Sequence, residues 1–123
     1  MAQEVNTSIA GQVDIKWMKG DDFEMVFTFQ VNRSLENLTG QTFTAKIYAL
    51  NDAAKTALVS FSVGSGLTNG GALGTITLTK TPAGLSALSS NTVYGWQMSK
   101  TTAAGKVYIV LFGQFEVLDT YNV

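Results

Sequence analysis

Large apolar residues alternate with polar ones along most of this chain. In segment 23–29, Phe23, Met25, Phe27 and Phe29 occupy every odd position. Further segments alternate in the same way, namely Ile15 to Trp17, Phe43 to Ile47, Val59 to Val63, Ile76 to Leu78 and Tyr94 to Met98, and a last strand is predicted from Val107 to Val117. Successive side chains of a strand point to opposite faces, so this pattern predicts strands with one buried and one wet face. We therefore predict an all-β domain, an antiparallel β-sandwich of about seven to eight strands.

Turn-forming residues separate the predicted strands. The turn signals are Lys19-Gly20-Asp21-Asp22, Leu38-Thr39-Gly40, Gly64-Ser65-Gly66, Asn69-Gly70-Gly71 and Ala103-Ala104-Gly105. One short helical turn is predicted after Thr81, with Pro82 at its first position and Leu85 and Leu88 covering one end of the core. The polar residues 1–13 are expected to form an N-terminal arm, and residues 14–123 the sandwich domain.

The segment from Val107 to Val117 is apolar on both faces, which indicates that both faces are covered. Alternation assigns Tyr108, Val110 and Phe112 to the outer face. Either the N-terminal arm or a loop folds over these three side chains, or they form a subunit interface. The interface hypothesis predicts that Val110→Asp leaves the monomer folded and abolishes assembly.

Composition and charge narrow the function classes. Charged residues make up 14% of the chain, against roughly 25% in typical soluble domains. Since charged residues are depleted from the cores of protein interfaces, this composition favours a subunit that contacts other proteins in an assembly. The net charge is −1 and the basic residues are scattered, so we expect neither nucleic-acid binding nor attachment to an anionic membrane. No signal peptide and no membrane-spanning stretch is recognisable.

The chain has no histidine and no cysteine, so the usual base for a serine nucleophile and the best zinc ligands are missing. We expect no enzymatic activity and no cofactor. Asp21 and Asp22 are a weak candidate for a calcium site, although carboxylates in a tight turn more often bond their own backbone. Trp17 is in register with Ile15, which favours a position in the core or at its rim. It is also a possible contact for a glycan, which makes a carbohydrate-binding module the alternative function.

Several segments, in order, resemble the N-terminal immunoglobulin-like domain of phage baseplate upper proteins, a family of tailed-phage virion proteins. The resemblance spans roughly residues 14–119 and is carried by five pieces in order. The first two are Lys19-Gly20-Asp21 with the following strand, and Leu38-Thr39-Gly40 leading into Phe43 to Ile47. The other three are Gly74 to Thr79 with the turn ending at Leu88, Tyr94-Gly95-Trp96, and Gly105-Lys106-Val107 through Gly113 to Val117. Gln97 departs from the family, in which an acidic residue is frequent at that position. Larger relatives also continue into a stalk or fibre, whereas this sequence ends soon after Asp119.

The resemblance implies an immunoglobulin-like sandwich and a structural role in a phage particle. The expected partners are other virion structural proteins and further copies of this chain, in a tail, baseplate, neck or head surface. The expected localisation is the virion, after synthesis in the host cytoplasm. Because the receptor-binding part of larger relatives has no counterpart here, an adaptor or decoration subunit fits better than a receptor-binding tip.

Overall fold

The alternating segments form β-strands where the sequence predicts them. The structure, a computed structural model, describes residues 2–6, 11–31 and 34–119. Within these residues the strands are β1 (Ala2–Asn6), β2 (Gly11–Gln12), β3 (Ile15–Met18), β4 (Phe23–Val31), β5 (Ser34–Leu35), β6 (Thr42–Ala49), β7 (Val59–Val63), β8 (Gly66–Asn69), β9 (Thr75–Lys80), β10 (Thr92–Thr101) and β11 (Val107–Leu118). Two short 3₁₀ turns lie at Gly71–Leu73 and Ala83–Leu85.

The strands form one sheet that curls back on itself. Their order is β1-β4-β9-β8-β7-β6-β10-β11, with β2 and β3 along the far edge of β11. At the corner, β7 and β8 share only a short pairing, from Ser62–Gly66 to Val63–Leu67. The half containing β4, β9 and β8 thereby faces the half containing β6, β10 and β11. This arrangement is an immunoglobulin-like β-sandwich, and the predicted fold class is confirmed, although the described residues form eleven strands and not seven to eight.

Aromatic side chains of β4 join the two halves. Phe27 stacks on Trp96 of β10 with ring centroids 5.6 Å apart, and Phe29 meets Phe43 of β6 edge-on at 5.6 Å. Phe23 contacts Phe115 of β11 at 5.5 Å. Each fully buried side chain of this size contributes about 1.5–3 kcal/mol of transfer free energy. The inward positions of β4 therefore hold the sandwich together.

The predicted helical turn caps one end of the core. It is a 3₁₀ turn at Ala83–Leu85, and Thr81 Oγ1 accepts a hydrogen bond from the N–H of Gly84 at 3.3 Å. Leu85 and Leu88 are buried, as predicted. The other 3₁₀ turn, Gly71–Leu73, lies in a segment for which the sequence predicted only a turn.

The first residues of the chain pair with both edges of the curled sheet. Strand β1 runs parallel to β4, from Ala2 opposite Val26 to Asn6 opposite Gln30. Strands β2 and β3 run parallel to β11. The segment predicted as an arm, residues 1–13, thus contributes strands to the sheet; residues 1 and 7–10 lie outside the described part.

A β-bulge in β11 changes which side chains face outward. Leu111 lies opposite Met98 and Ile109 lies opposite Ser99, so Val110 is an extra residue in β11. Such a bulge turns two successive side chains toward the same side, and both Val110 and Leu111 are buried. The prediction that Tyr108, Val110 and Phe112 share an outer face is therefore wrong. Only Phe112 remains there, while Tyr108 pairs with Lys100 on the inner side.

Candidate interaction surface

An exposed apolar ridge runs along the outer face of β11. It consists of Val107, Ile109 and Phe112, which are 65%, 47% and 41% exposed. Their register partners on β10 are Thr101, Ser99 and Gln97, small or polar residues on the same face. Three exposed apolar side chains in succession on one strand are typical of a protein contact surface.

Sequence reasoning missed two members of this ridge. It assigned Val107 and Ile109 to the core and Val110 to the surface, because it assumed that inward and outward side chains alternate without interruption along the whole segment. The available signal was the adjacent pair Val110-Leu111, since two large apolar residues in a row are compatible with a bulge. In a run that is apolar at every position, that signal does not fix where the bulge lies.

A shallow groove adjoins the ridge. It has a volume of about 310 Å³ and lies on the outer face of β6, β7 and β10. Its polar lining residues are Thr44, Lys46, Ser60, Ser62, Gln97 and Ser99. Apart from Lys46, these side chains carry no charge. A surface of hydroxyl and amide groups costs less to dehydrate than one of charges, so the groove suits an interface.

Tyr48 lies across the middle of this outer face. A Cβ atom on its register partner, Gly95, would stand 2.5 Å from the Tyr48 ring, so the absence of a side chain lets the ring lie against the sheet. The Lys55 ammonium lies 5.8 Å from the Tyr48 ring centroid, within reach of a cation–π contact. The centre of the face is therefore an aromatic ring beside a cation.

The loop that carries Lys55 is ordered by Asp52. The Asp52 carboxylate accepts hydrogen bonds from the backbone N–H groups of Thr56 and Ala54, each at 3.0 Å. The bond from Thr56, and then the bond from Ala54, lower the pKa of Asp52 below its ordinary value because they stabilise the ionised form. The ionised carboxylate thus helps to fix the conformation of this loop.

Trp17, the predicted glycan contact, is buried. It is 4% exposed, its ring packs beside Phe115 with centroids 6.5 Å apart, and its Nε1 donates to the carbonyl of Asp21 at 2.9 Å. A sugar-binding aromatic must present a ring face to the ligand. The assignment of Trp17 to a glycan site is therefore corrected: it belongs to the core beneath the β3–β4 turn.

Asp21 and Asp22 are exposed in that turn and line a depression of about 570 Å³. A calcium ion takes about six to eight oxygen ligands. Within residues 2–6, 11–31 and 34–119, no three acidic, histidine or cysteine side chains come together as a metal-binding group. The two carboxylates alone do not make such a ligand shell.

A partly buried ion pair closes one end of the inner face. Lys100 Nζ lies 3.6 Å from Glu36 Oε2, and the two side chains are 11% and 14% exposed. Lys100 Nζ also lies 6.0 Å from the centroid of the Tyr108 ring. The Tyr108 ring therefore lies near the Lys100 ammonium group at this end of the sandwich.

We expect Glu36→Gln to lower the free energy of unfolding by about 1–3 kcal/mol, because Lys100 would keep its charge and lose its counterion. Lys100→Met in the same chain should restore most of that loss, since no partly buried charge then lacks its partner. Urea unfolding of both single variants and the double variant gives the coupling energy. Strictly additive effects would contradict this account of the pair.

Comparisons with known proteins give structural matches only. No protein-family model matches the chain, and no curated protein matches its sequence. Among solved structures, the N-terminal domain of phage TP901-1 ORF48 aligns with a TM-score of 0.59 and 14% identity, over 96% of this chain and 99% of that one. Murine CRIg aligns with a TM-score of 0.40 and 10% identity, over 85% and 91% of the two chains. Extracellular domains 3–5 of Drosophila OTK align with a TM-score of 0.37 and 14% identity, over 87% and 33%.

The match to the phage domain covers nearly all of both chains and shows a shared fold. At 14% identity it shows the fold alone. The described part of the chain also contains no helix that is long and apolar enough to cross a membrane. What is established for this protein is thus an immunoglobulin-like sandwich, similar to a domain of a phage protein, with an apolar ridge on its outer face.

Proposed function

We propose that this protein is a non-enzymatic structural subunit of a phage particle, which binds neighbouring virion proteins and further copies of itself. The observation that carries the proposal is the exposed ridge of Val107, Ile109 and Phe112 on a domain whose fold matches a phage domain over nearly its full length. Burial of the apolar surface of the ridge against a neighbour would be the driving force for binding.

The surroundings of the ridge support a binding role. Its neighbours on β10 are Thr101, Ser99 and Gln97, which can donate and accept hydrogen bonds without the dehydration cost of a charge. An apolar strip flanked by such groups resembles the core and rim of a protein interface. An adaptor or decoration subunit fits this surface, with a tail, baseplate, neck or head protein as its partner.

The glycan-binding alternative has lost its candidate residue, because Trp17 lies in the core. On the outer face, Phe112 of β11 is exposed and the Tyr48 ring of β6 lies against the sheet over Gly95, with β10 between the two strands, while Tyr108 is engaged with Lys100 on the inner face. An aromatic platform for a sugar would need rings side by side on one face. We therefore propose the assembly role and not the glycan role.

Phage particles test the proposal directly. Antibodies raised against the purified chain, applied as gold conjugates to particles from the phage that carries the gene, should label one substructure reproducibly. Mass spectrometry of gradient-purified particles should also find the chain at a fixed ratio to the major structural proteins. Particles that contain none of this protein would refute the proposed function.

Phe112→Asp tests the ridge. We expect the variant to fold, because Phe112 is exposed, but to be incorporated into particles at least ~10-fold less than wild type when it is supplied in place of the native protein, since a charge would have to be buried in the contact. Leu73→Asp is the matched control: Leu73 is 67% exposed and lies on a 3₁₀ turn away from β11. Equal incorporation of both variants would show that the ridge is not the contact.

A further inference from the structure

We propose that an extended, basic segment of a neighbouring virion protein adds to the edge of β3 that faces away from β11, and lies in the depression of about 570 Å³ between β3 and β4. This site is separate from the ridge on the outer face of β11 and goes beyond the proposed function. Only the identification of its occupant as a virion protein rests on that function.

Hydrogen bonds on either side of β3 show which of its backbone groups face β11. Val13 and Lys19 donate their N–H groups to carbonyls of β11, at 2.9 and 2.8 Å. Because successive residues of a strand present their backbone groups to opposite sides, the N–H groups of Lys16 and Met18 point away from β11. In the described part of the chain, β3 pairs with β11 and with no other strand. This edge is therefore a template for one further strand.

The opposite wall of the depression is the first part of β4. The described pairing of β4 with β1 begins at Val26, and within that paired stretch Phe27 and Phe29 are 0% exposed. Phe23 and Met25 precede most of it, line the depression and are each 6% exposed. The core is thus closed alongside β1 and within reach of solvent just before it. Apolar side chains of an added segment would cover these two residues and gain hydrophobic free energy.

Charge favours a basic occupant of this depression. Four carboxylates and a single ammonium group line it, those of Asp14, Asp21, Asp22, Glu24 and Lys16. Lys16 is also the register partner of Glu116, whose carboxylate offsets its charge. The ammonium group of Lys19, in the adjoining turn, donates to the carbonyl of Leu88 at 2.7 Å. The surplus of carboxylates attracts cationic side chains and repels acidic segments.

The proposed mode of binding follows from these three features. Backbone hydrogen bonds to β3 would hold the segment, and its alternate side chains would decide which sequences bind. One set faces Phe23 and Met25 and is apolar, while the other contains lysine or arginine and faces the carboxylates. The volume of about 570 Å³ suits such a segment, since clefts that bind ligands measure about 300–1,000 Å³.

A capped peptide that alternates valine and lysine is the probe, and its valine–glutamate counterpart is the matched control. In a nuclear magnetic resonance titration of the full chain, the basic peptide should shift the amide signals of Lys16, Met18 and Glu24 and slow hydrogen exchange at Lys16 and Met18. The acidic peptide should bind at least ~10-fold more weakly, because its charges meet carboxylates. Added salt should weaken binding of the basic peptide.

Two variants at one position separate strand addition from simple charge attraction. Lys16→Pro removes an edge N–H that β11 does not use, at a position where an edge strand tolerates proline. It should raise the dissociation constant of the basic peptide by at least ~10-fold, since a hydrogen bond is lost and the ring obstructs pairing. Lys16→Gln removes the same positive charge and keeps the N–H, so it should bind at least as well as wild type. A basic peptide with N-methyl groups on alternate residues, chosen to block its pairing edge, should lose binding to the wild-type chain.

Equal binding of the basic and acidic peptides, or of the basic peptide to both Lys16 variants, would overturn the inference, and so would full binding of the N-methylated peptide. Slow exchange at Lys16 and Met18 in dilute protein without peptide would show that the chain covers its own edge. The same protection appearing only at high protein concentration would identify a second copy as the occupant. Either result would overturn the assignment to a different protein. Failure of peptide binding would leave the role in the particle standing, whereas absence of the chain from particles would refute that role even if the peptide binds to β3.

Discussion

Val110→Asp is expected to unfold most of the protein, in contrast to the outcome predicted from the sequence. Val110 is 1% exposed, and an aspartate there would have to be buried without a partner or be protonated. Loss of the valine contacts together with a buried carboxyl group should lower the free energy of unfolding by about 4 kcal/mol or more. Denaturant unfolding followed by tryptophan fluorescence measures this change.

Ile109→Asp is the matched control, since it is the adjacent residue of the same strand. Ile109 is 47% exposed on the outer face, so its aspartate would remain hydrated. We expect its free energy of unfolding to stay within about 1 kcal/mol of wild type. Equal stability of the two variants, or a larger loss for Ile109→Asp, would contradict the position of the bulge.

Gly113→Ala is expected to lower the free energy of unfolding by about 3–5 kcal/mol, because a side chain there would collide with the backbone and break a buried hydrogen bond. A Cβ atom on Gly113 would lie within 2.1 Å of the Val13 carbonyl oxygen. That oxygen accepts the indole N–H of Trp96 at 2.7 Å, and the Val13 N–H in turn donates to the carbonyl of Phe112 at 2.9 Å. The substitution would push the chain between β2 and β3 away from β11.

Two measurements separate this effect from a general loss of packing. Chemical denaturation gives the free energy of unfolding, and the tryptophan emission of the native state should shift to longer wavelength as Trp96 loses its bond to Val13. Gly11→Ala is the control, because a Cβ there would make only an ordinary contact, 3.4 Å from Leu111 Cδ2. If Gly113→Ala were as stable as Gly11→Ala, the close approach of Val13 to β11 would be refuted.

The sequence alone predicted the seven strands from β3 to β11 that lie in the segments it singled out, and most of the core, whereas β1, β2, β5 and β8 were not predicted. The alternation of apolar and polar residues predicted that Phe23, Phe27 and Phe29 point inward, and all three are buried. It also placed Trp96 between Tyr94 and Met98 in the core, where it is 1% exposed. These predictions succeeded because apolar and polar residues are clearly separated in β4 and β10, and a strand with one apolar face can bury it in only one way.

Tertiary structure decided which side chains remain outside. In β11 every residue from Val107 to Phe112 is apolar, so alternation carries no information there, and the position of the bulge at Val110 depends on the pairing with β10. Burial of Trp17 likewise depends on a distant strand, since β3 pairs with β11 about a hundred residues later in the chain. The candidate interface was therefore only partly predictable: the sequence indicated an unusual strand, and long-range pairing selected Val107, Ile109 and Phe112 as its exposed side chains.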